Sequence, residues 1–481
     1  MRLLIDLAIN TGRKRKSSQT GYLHHCYHVI EQEPHLPIPL IENFLFVLAL
    51  LKSRTVENIQ EAKGLLDGLL HFQNRNGNFP VYLHDFPVCK DHFTGIHAAC
   101  AIYWILKQFH QVLGYELKKR LEEALGLVAK HALMVHVEIN APYPIKMKIA
   151  ALSLAAGRFL ADDQLSDQGA QSLATLSENF EKTCLFCPAS LGSIAASLMM
   201  VYPRLSDSPW KFLWDHLEST WHRKTASYAG PSLKEWQQEG EPHVTLYDFI
   251  CGHFSDGFSE RAQKESIVHL ESVLIPASNE RFQPLNYPLE IQGNIHGTRW
   301  FLYHGEQFAY STFEKKAAVV HQSIEKGFSP FRLLWGDVHR VHTFACQGGN
   351  AKTVAFDGTD LLFHLEGSPE VEDKEKSREI LFFVDTHEGV EFLVSGQKAS
   401  TFLLGEEVGI KDKQMRITLS FHLEDGGGRF LGHRMLGNRL AQLAIKGAAR
   451  FNAYDWQLFL RTISRSETCR IRVKLKINPT G

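Results

Sequence analysis

The sequence predicts an α+β multidomain chain: an N-terminal α/α toroid, an incomplete barrel of helical hairpins, over 1–275, then a C-terminal antiparallel β-sandwich over 276–481. Three observations carry this. Up to about residue 276 nearly every apolar run recurs at three- and four-residue spacing, the helical period. Beyond it, runs such as Arg299-Trp300-Phe301-Leu302-Tyr303-His304 and Glu379-Ile380-Leu381-Phe382-Phe383-Val384 are short, aromatic and β-branched, with turn residues between them. The helical runs also pair through short links, while the links between pairs are long.

Helical patterns fall at 40–54, 57–72, 93–110, 115–133, 145–160, 164–180, 189–201 and 207–222, with another near 260–273. Within each pair the link spans about two to five residues, as an antiparallel helix hairpin requires. Between pairs the chain runs through 73–92, 134–144, 181–188 and 223–259. Each pair sends the chain out and back, so every long link returns to the same end, and stacked hairpins curve into a toroid with those loops around one rim.

In the second half, strand candidates recur about every ten residues from Phe282 onward: Leu289–His296, Arg299–His304, Ala317–Ile324, Arg332–Trp335, Arg340–Cys346, Leu361–Leu365, Val390–Val394, Met415–Leu423 and Cys469–Ile477. Turn signals separate them, among them Gly348-Gly349-Asn350, Asp357-Gly358 and Glu424-Asp425-Gly426-Gly427-Gly428.

Composition narrows the function classes. Lys plus Arg is 52 against Asp plus Glu 53, so no global field draws the protein to nucleic acid or to an anionic membrane. No run of about 18 apolar residues exists, and the opening Met1-Arg2-Leu3-Leu4-Ile5-Asp6 lacks a signal-peptide pattern, so a cytoplasmic location is expected. The eight scattered cysteines read as reduced thiols. Arg13-Lys14-Arg15-Lys16 reads as a solvated surface turn. Cys184-x-x-Cys187 has ligand spacing but no second ligand pair beyond the dense His24-His25-Cys26-Tyr27-His28, so no metal and no cofactor are expected. Neither a Gly-x-x-x-x-Gly-Lys loop, a Gly-x-Gly-x-x-Gly fingerprint nor a Gly-x-Ser-x-Gly elbow occurs, which disfavours nucleotide enzymes and serine hydrolases. Oligomeric state is left open.

The candidate functional residues sit on the long loops. The first loop holds Arg75, Asn76, Asn78, Tyr82, His84 and Asp85; the second, Asn140 and Tyr143; the third, Cys184 to Ser190; the fourth, His222, Tyr228, Lys234 and Trp236. Gly293-Asn294-Ile295-His296-Gly297-Thr298-Arg299-Trp300, in the strand half, adds His296 and Arg299.

Toroid followed by sandwich resembles the polysaccharide lyases of the heparinase II/III, alginate lyase and hyaluronate lyase type, in domain order and over most of the chain. Locally, Cys187-Pro188-Ala189-Ser190-Leu191 and Tyr228-Ala229-Gly230-Pro231-Ser232-Leu233-Lys234-Glu235-Trp236 look like Ser-Pro-x-Tyr and Gly-Pro-x-x-Arg-x-Tyr stretches of uncharacterised toroid proteins. Cys187, Ser190, Lys234 and Trp236 depart from those patterns. The resemblance implies a carbohydrate-active protein with a glycan ligand, and β-elimination on uronic-acid glycans. That reaction needs a base beside the sugar carboxylate, a group offsetting charge on it, and an acid for the leaving oxygen. The expected set is Asn76 or Asn78 as neutraliser, His84 or His222 as base, and Tyr143 or Tyr228 as acid or base. Arg75, Tyr82, Lys234, Trp236, His296 and Arg299 would bind substrate where the rim faces the sandwich. The alternatives are a non-catalytic glycan-binding or scaffold protein, and a glycoside hydrolase using two of Asp85, Asp91, Glu235 and Asp248.

Overall fold

The computed structural model describes residues 1–27, 37–231, 244–316, 329–346, 351–369, 371–372, 377–384, 389–440 and 454–480. The chain divides into two compact units: Met1–Leu217 with Val244–Asp256 and Gln263–Arg281, and Glu218–His243 with Gly257–Ala262 and Phe282–Gly481.

The first unit is a ring of helices in two layers, and burial tells the layers apart. Helix α1 spans Arg2–Arg15, α2 Leu40–Ser53, α3 Val56–Leu69, α4 Thr94–Leu113, α5 Tyr115–Glu138, α6 Tyr143–Leu160, α7 Asp163–Glu178, α8 Pro188–Leu198, α9 Lys211–Thr220 and α10 Leu246–Ser255. In α2 every residue from Glu42 to Leu51 is buried, and in α6 every residue from Met147 to Gly157. A helix apolar all round belongs inside. In α3 only Ala62, Leu65, Leu66 and Leu69 are buried, a single stripe at three- and four-residue spacing, so α3 lies outside.

The even-numbered helices form the inner layer. α2 packs on α4, α4 on α6, α6 on α8, α8 on α10, α10 on the 3-10 helix Ile267–Leu274, and that segment back on α2. A short 3-10 helix thus closes the ring. The hairpin connections make the inner helices run the same way. Their N-terminal ends share one mouth with the long links, such as 70–93 and 179–187, and their C-terminal ends share the other with short links at 54–55, 114 and 161–162. Glycine sets the closeness of one hairpin: a methyl group at Gly169 of α7 would collide with the Leu154 amide of α6. Asp162 caps α7, its carboxylate accepting from the Leu165 amide at 3.0 Å.

Helix α1 corrects one expectation. Arg13, Lys14 and Arg15 form its last turn rather than a surface turn. Arg13 and Lys16 pair with Glu61 at 2.6 Å each, and Arg15 pairs with Glu265 at 2.8 Å. The positive charges also suit the negative end of the helix dipole.

The second unit is two antiparallel sheets and a hairpin. The hairpin pairs β1 (Trp221–His222) with β2 (Ser227–Tyr228). The further strands are β3 (Leu289–Ile295), β4 (Thr298–His304), β5 (Phe308–Phe313), β6 (Phe331–Gly336), β7 (Val341–Cys346), β8 (Thr353–Asp357), β9 (Asp360–Glu366), β10 (Arg378–Val384), β11 (Glu391–Val394), β12 (Thr401–Phe402), β13 (Val408–Lys411), β14 (Met415–Asp425), β15 (Gly428–Leu440), β16 (Tyr454–Arg465) and β17 (Thr468–Pro479). One sheet has the order β12-β15-β16-β10-β7-β6-β5-β4-β3, the other β11-β13-β14-β17-β9-β8. Phe331, Phe344 and Phe382 of the larger sheet meet Phe363, Phe421 and Val473 of the smaller in one core. β17 shows why: Cys469, Ile471, Val473 and Leu475 alternate inward with exposed or half-exposed residues. Two buried polar contacts tie this unit. Trp335 Nε1 donates to Asp412 at 2.7 Å, and Arg465 Nε donates to Glu379 at 2.8 Å. The expected strand at Ala317–Ile324 and the turn Gly348-Gly349-Asn350 lie outside the described residues. No described helix is long and apolar enough to cross a membrane.

Candidate functional site

Four inner elements each carry an ionisable residue near the mouth where the inner helices begin. Glu42 is the third residue of α2, His97 the fourth of α4 and Lys148 the sixth of α6. Glu271 stands in the closing 3-10 helix. Each is set among apolar neighbours, such as Met147 and Ile149 around Lys148, so the packing that builds the ring fixes its position.

Lys148 Nζ donates to His97 Nδ1 at 2.8 Å. Burial and the adjacent ammonium hold the His97 imidazole well below its usual range. The ring is therefore neutral, accepts at Nδ1 and carries its proton on Nε2. Lys148 is 9% exposed, and among the described residues no carboxylate lies within ion-pair distance of it. A buried ammonium whose hydrogen-bond partner is neutral, with the Glu271 carboxyl acting on it only from beyond ion-pair distance, favours the approach of an anion. The N-terminal ends of the inner helices add partial positive charge at the same mouth.

Glu42 is the buried carboxyl of this group. The Tyr27 hydroxyl hydrogen-bonds its carboxylate, while Oε2 has no partner among the described residues. Burial pushes the carboxyl up to about 7, the Tyr27 hydrogen bond opposes this, and the charge of Glu271 adds to it. Burial also raises the Glu271 carboxyl, against the pull of Lys148. Glu271 nevertheless reaches solvent, and Tyr27 is 38% exposed. The Glu42 carboxylate itself is buried. Burial keeps the Tyr27 phenol protonated, well above its usual range, helped by the negative charge of Glu42.

Of the residues expected from sequence, Tyr82 and His84 join this group. The Tyr82 hydroxyl accepts from the Tyr27 amide at 3.1 Å, its ring lies 5.8 Å from Tyr27, and it stacks on His84 at 5.6 Å. Asn78 is committed to structure: Oδ1 accepts from the Gly95 amide at 2.9 Å and Nδ2 donates to the Asp91 carbonyl at 2.8 Å, bracing the start of α4. Arg75 and Asn76 are exposed on the turn whose amides Asn74 accepts. The Tyr143 hydroxyl donates to the Leu176 carbonyl at 2.7 Å and its ring packs on Phe180, which binds it to α7.

The other candidates belong to the second unit. His222 Nδ1 bonds Thr225 Oγ1 at 2.9 Å, and its ring lies 5.2 Å from that of His304. Burial, then the His304 charge, pushes His222 down to about 3. The Tyr228 hydroxyl donates to the Pro231 carbonyl at 2.6 Å. Arg299 pairs with Glu314 at 2.6 Å and lies over Phe356, so it braces β4 against β5. His296 sits at the β3–β4 turn with φ 48°. Lys234 and Trp236 lie outside the described residues.

No family model matches the chain. No curated protein matches it either. Among solved structures it is similar to heparinase III, at 11% identity and a TM-score of 0.49, over 99% of this chain and 84% of that one. It is also similar to a chondroitin AC lyase of Streptomyces coelicolor A3 in complex with chondroitin sulphate, at 8% identity and a TM-score of 0.47, over 100% and 79%. A Paenibacillus xanthan lyase follows at 7% identity and 0.45, over 99% of this chain and 57% of that one, so this chain spans little more than half its length. At such identities no residue of the site has an assigned counterpart.

Sequence reasoning missed Glu42, His97, Lys148 and Glu271 because it searched the loops. The available signal was on the helices: one ionisable residue near the start of several otherwise apolar inner helices. The third, fourth and sixth positions of α2, α4 and α6 differ by at most three residues, a rise of about 4.5 Å, so they lie at similar depth. Among the described residues, no group of three or more His, Cys, Asp or Glu side chains is placed to hold a metal ion.

Proposed function

We propose that the mouth at the start of the inner helices binds the carboxylate of an acidic glycan and carries out β-elimination beside it. The observation that supports this is Lys148, a buried ammonium hydrogen-bonded to a neutral histidine, which acts on the Glu271 carboxyl as that carboxyl acts on Glu42. In this reading Lys148, with the Nε2–H of His97, holds the sugar carboxylate and offsets the charge that develops on it. The Glu42 carboxylate, poised near neutrality, takes the proton from the carbon beside that carboxylate. The electron pair forms the new carbon–carbon double bond as the glycosidic carbon–oxygen bond breaks. The protonated Tyr27 phenol then supplies the proton to the leaving oxygen, and Tyr82 and His84 offer a stacking surface for the neighbouring sugar ring.

A second reading rests on Glu271. Two interacting carboxylates with raised proton affinity are also what glycoside hydrolysis by inversion uses, one as acid and one as base. One assay separates the readings. Uronic-acid oligosaccharides are incubated with the protein, and both ultraviolet absorbance of an unsaturated product and new reducing ends are followed. Elimination gives both signals in step, and hydrolysis gives reducing ends alone. Glycan binding with neither signal would leave a binding protein and sink both enzyme readings.

A further inference from the structure

The opposite mouth of the ring, where the inner helices end, holds a cavity of about 640 Å3. Its walls come from the later turns of α2, α4 and α6, the chain just after α8, and Pro276–Ala277 beyond the closing 3-10 helix. That volume is in the range of small-molecule sites. Its charged side chains are Lys52, Arg54, Lys107 and Arg158, and no carboxylate lines it. Trp104 and Phe159 contribute flat apolar wall.

Helix dipoles explain part of this charge. A cation in the last turn complements the negative end of a helix, and Lys52 does so directly, donating to the Ile275 carbonyl at 2.9 Å. Arg158 also lies in a last turn. Lys107 does not, since α4 continues more than a turn beyond it to Leu113. Arg54 follows the end of α2 in a left-handed conformation, φ 61°, which a residue other than glycine adopts uncommonly. Among the described residues the Arg54, Lys107 and Arg158 side chains have neither a carboxylate nor a hydrogen-bond partner. Cations gathered without counter-ions repel one another, and an incoming oxyanion relieves that repulsion.

We infer that this cavity binds a monosaccharide-sized ligand bearing a phosphate or sulfate ester, with the sugar ring against Trp104 and Phe159 and the ester among Arg54, Lys107 and Arg158. Guanidinium and ammonium groups are the usual partners of such oxyanions, and aromatic faces suit sugar rings. The site is separate from the elimination proposed above and does not depend on it.

Calorimetric titration of the whole chain at low salt tests this, with glucose 6-phosphate, glucose 6-sulfate, inorganic phosphate and glucose as ligands. One or both esters should bind, inorganic phosphate more weakly, and glucose not measurably. Lys107→Ala and Arg158→Ala should each weaken the ester about tenfold, the loss of one charge-assisted contact, without lowering the midpoint of thermal unfolding. Lys148→Met should leave ester binding unchanged. The comparison of the two esters tells which oxyanion the cavity prefers. No binding by either ester, or binding that survives Lys107→Ala and Arg158→Ala together, overturns the inference. Inorganic phosphate binding as tightly as the sugar esters removes the role given to Trp104 and Phe159.

Discussion

The two mouths of the helical ring are made from the same helices, yet their ends carry opposite problems of charge. Where the helices begin, partial positive charge meets both acids and a base: Glu42, Glu271, Lys148 and the neutral His97. Where they end, the charged side chains lining the cavity are all cations, Lys52, Arg54, Lys107 and Arg158. On the proposed reading the first mouth exchanges a proton near neutrality and holds one anionic group. On the proposed reading the second holds an anion, and no carboxyl group lines its cavity to act as base. On these readings one scaffold separates a mouth suited to chemistry from a mouth suited to binding, and the separation follows from which ionisable residues stand in the first and last two turns of the inner helices.

The sharpest way to break this contrast is Lys148→Met. If the buried ammonium offsets charge in the transition state, turnover of uronic-acid oligosaccharides should fall about 100- to 1000-fold, the usual loss when one such stabilising group is removed. Folding should suffer little, because the ammonium has no carboxylate partner to lose. Initial rates and an unfolding curve on the same preparation check both points. A wild-type rate in this variant would detach Lys148 from the chemistry.

Next in size is Glu42→Gln, which reads the first mouth through stability. The folded carboxyl is raised from 4.5 to about 7, so the folded state holds its proton more tightly than the unfolded chain. Stability is therefore highest below about pH 4.5, declines as pH rises to about 7, and stays lower above that. Glutamine cannot ionise, so the variant should be more stable than the parent at pH 8, by up to about 3 kcal/mol, and should lose that advantage at pH 4.5. Denaturant unfolding at both values measures the difference. Activity should disappear at both. Equal stability at pH 8 would mean that the carboxyl is not strained by burial.

How much of this was legible in the sequence differs between fold and site. The switch from three-and-four spacing to short aromatic runs placed the helical and strand halves, and Leu289–His296 became β3 almost residue for residue. The helical pattern at 40–54 became α2, but that it lies in the inner layer shows only in its burial on every face. The 3-10 closure was illegible, since Ile267–Leu274 is an ordinary apolar run whose tight winding depends on its neighbours α1, α2 and α10. The site was harder. Asn78 and Tyr143 look like loop chemistry, yet their polar atoms are consumed by backbone partners, which only coordinates reveal. Glu42, His97 and Lys148 are far apart in sequence and look like isolated polar residues in apolar helices. Their common depth in the ring gives them meaning, and depth requires knowing that the helices run parallel.

Lys52→Met probes the second mouth with the sign reversed. Burial lowers the folded ammonium from 10.5 to about 7, so the folded state binds this proton less tightly than the unfolded chain. Its cost is greatest below pH 7 and diminishes as pH rises toward 10.5. The variant should gain about 2 kcal/mol at pH 6, less than the full shift implies because the methionine also forfeits the bond to the Ile275 carbonyl. The gain should vanish by pH 10. Opposite pH signs for Glu42→Gln and Lys52→Met would show that burial strains an acid at one mouth and a base at the other; matching signs would break the comparison.

The smallest effect tests whether the mouths depend on the inner layer alone. Asp162 caps α7 on the outside of the ring, and its loss orphans the Leu165 amide. Asp162→Ala should cost about 1 kcal/mol of stability by denaturant unfolding. Because α7 contributes no side chain to the ionisable group described above or to the opposite cavity, turnover and ester affinity should both stay at parental values when the protein is assayed well below its unfolding midpoint. A change at either mouth would mean that the outer helices position the inner ends through packing such as the α6–α7 contact at Gly169, and the contrast between the mouths would then belong to the whole hairpin.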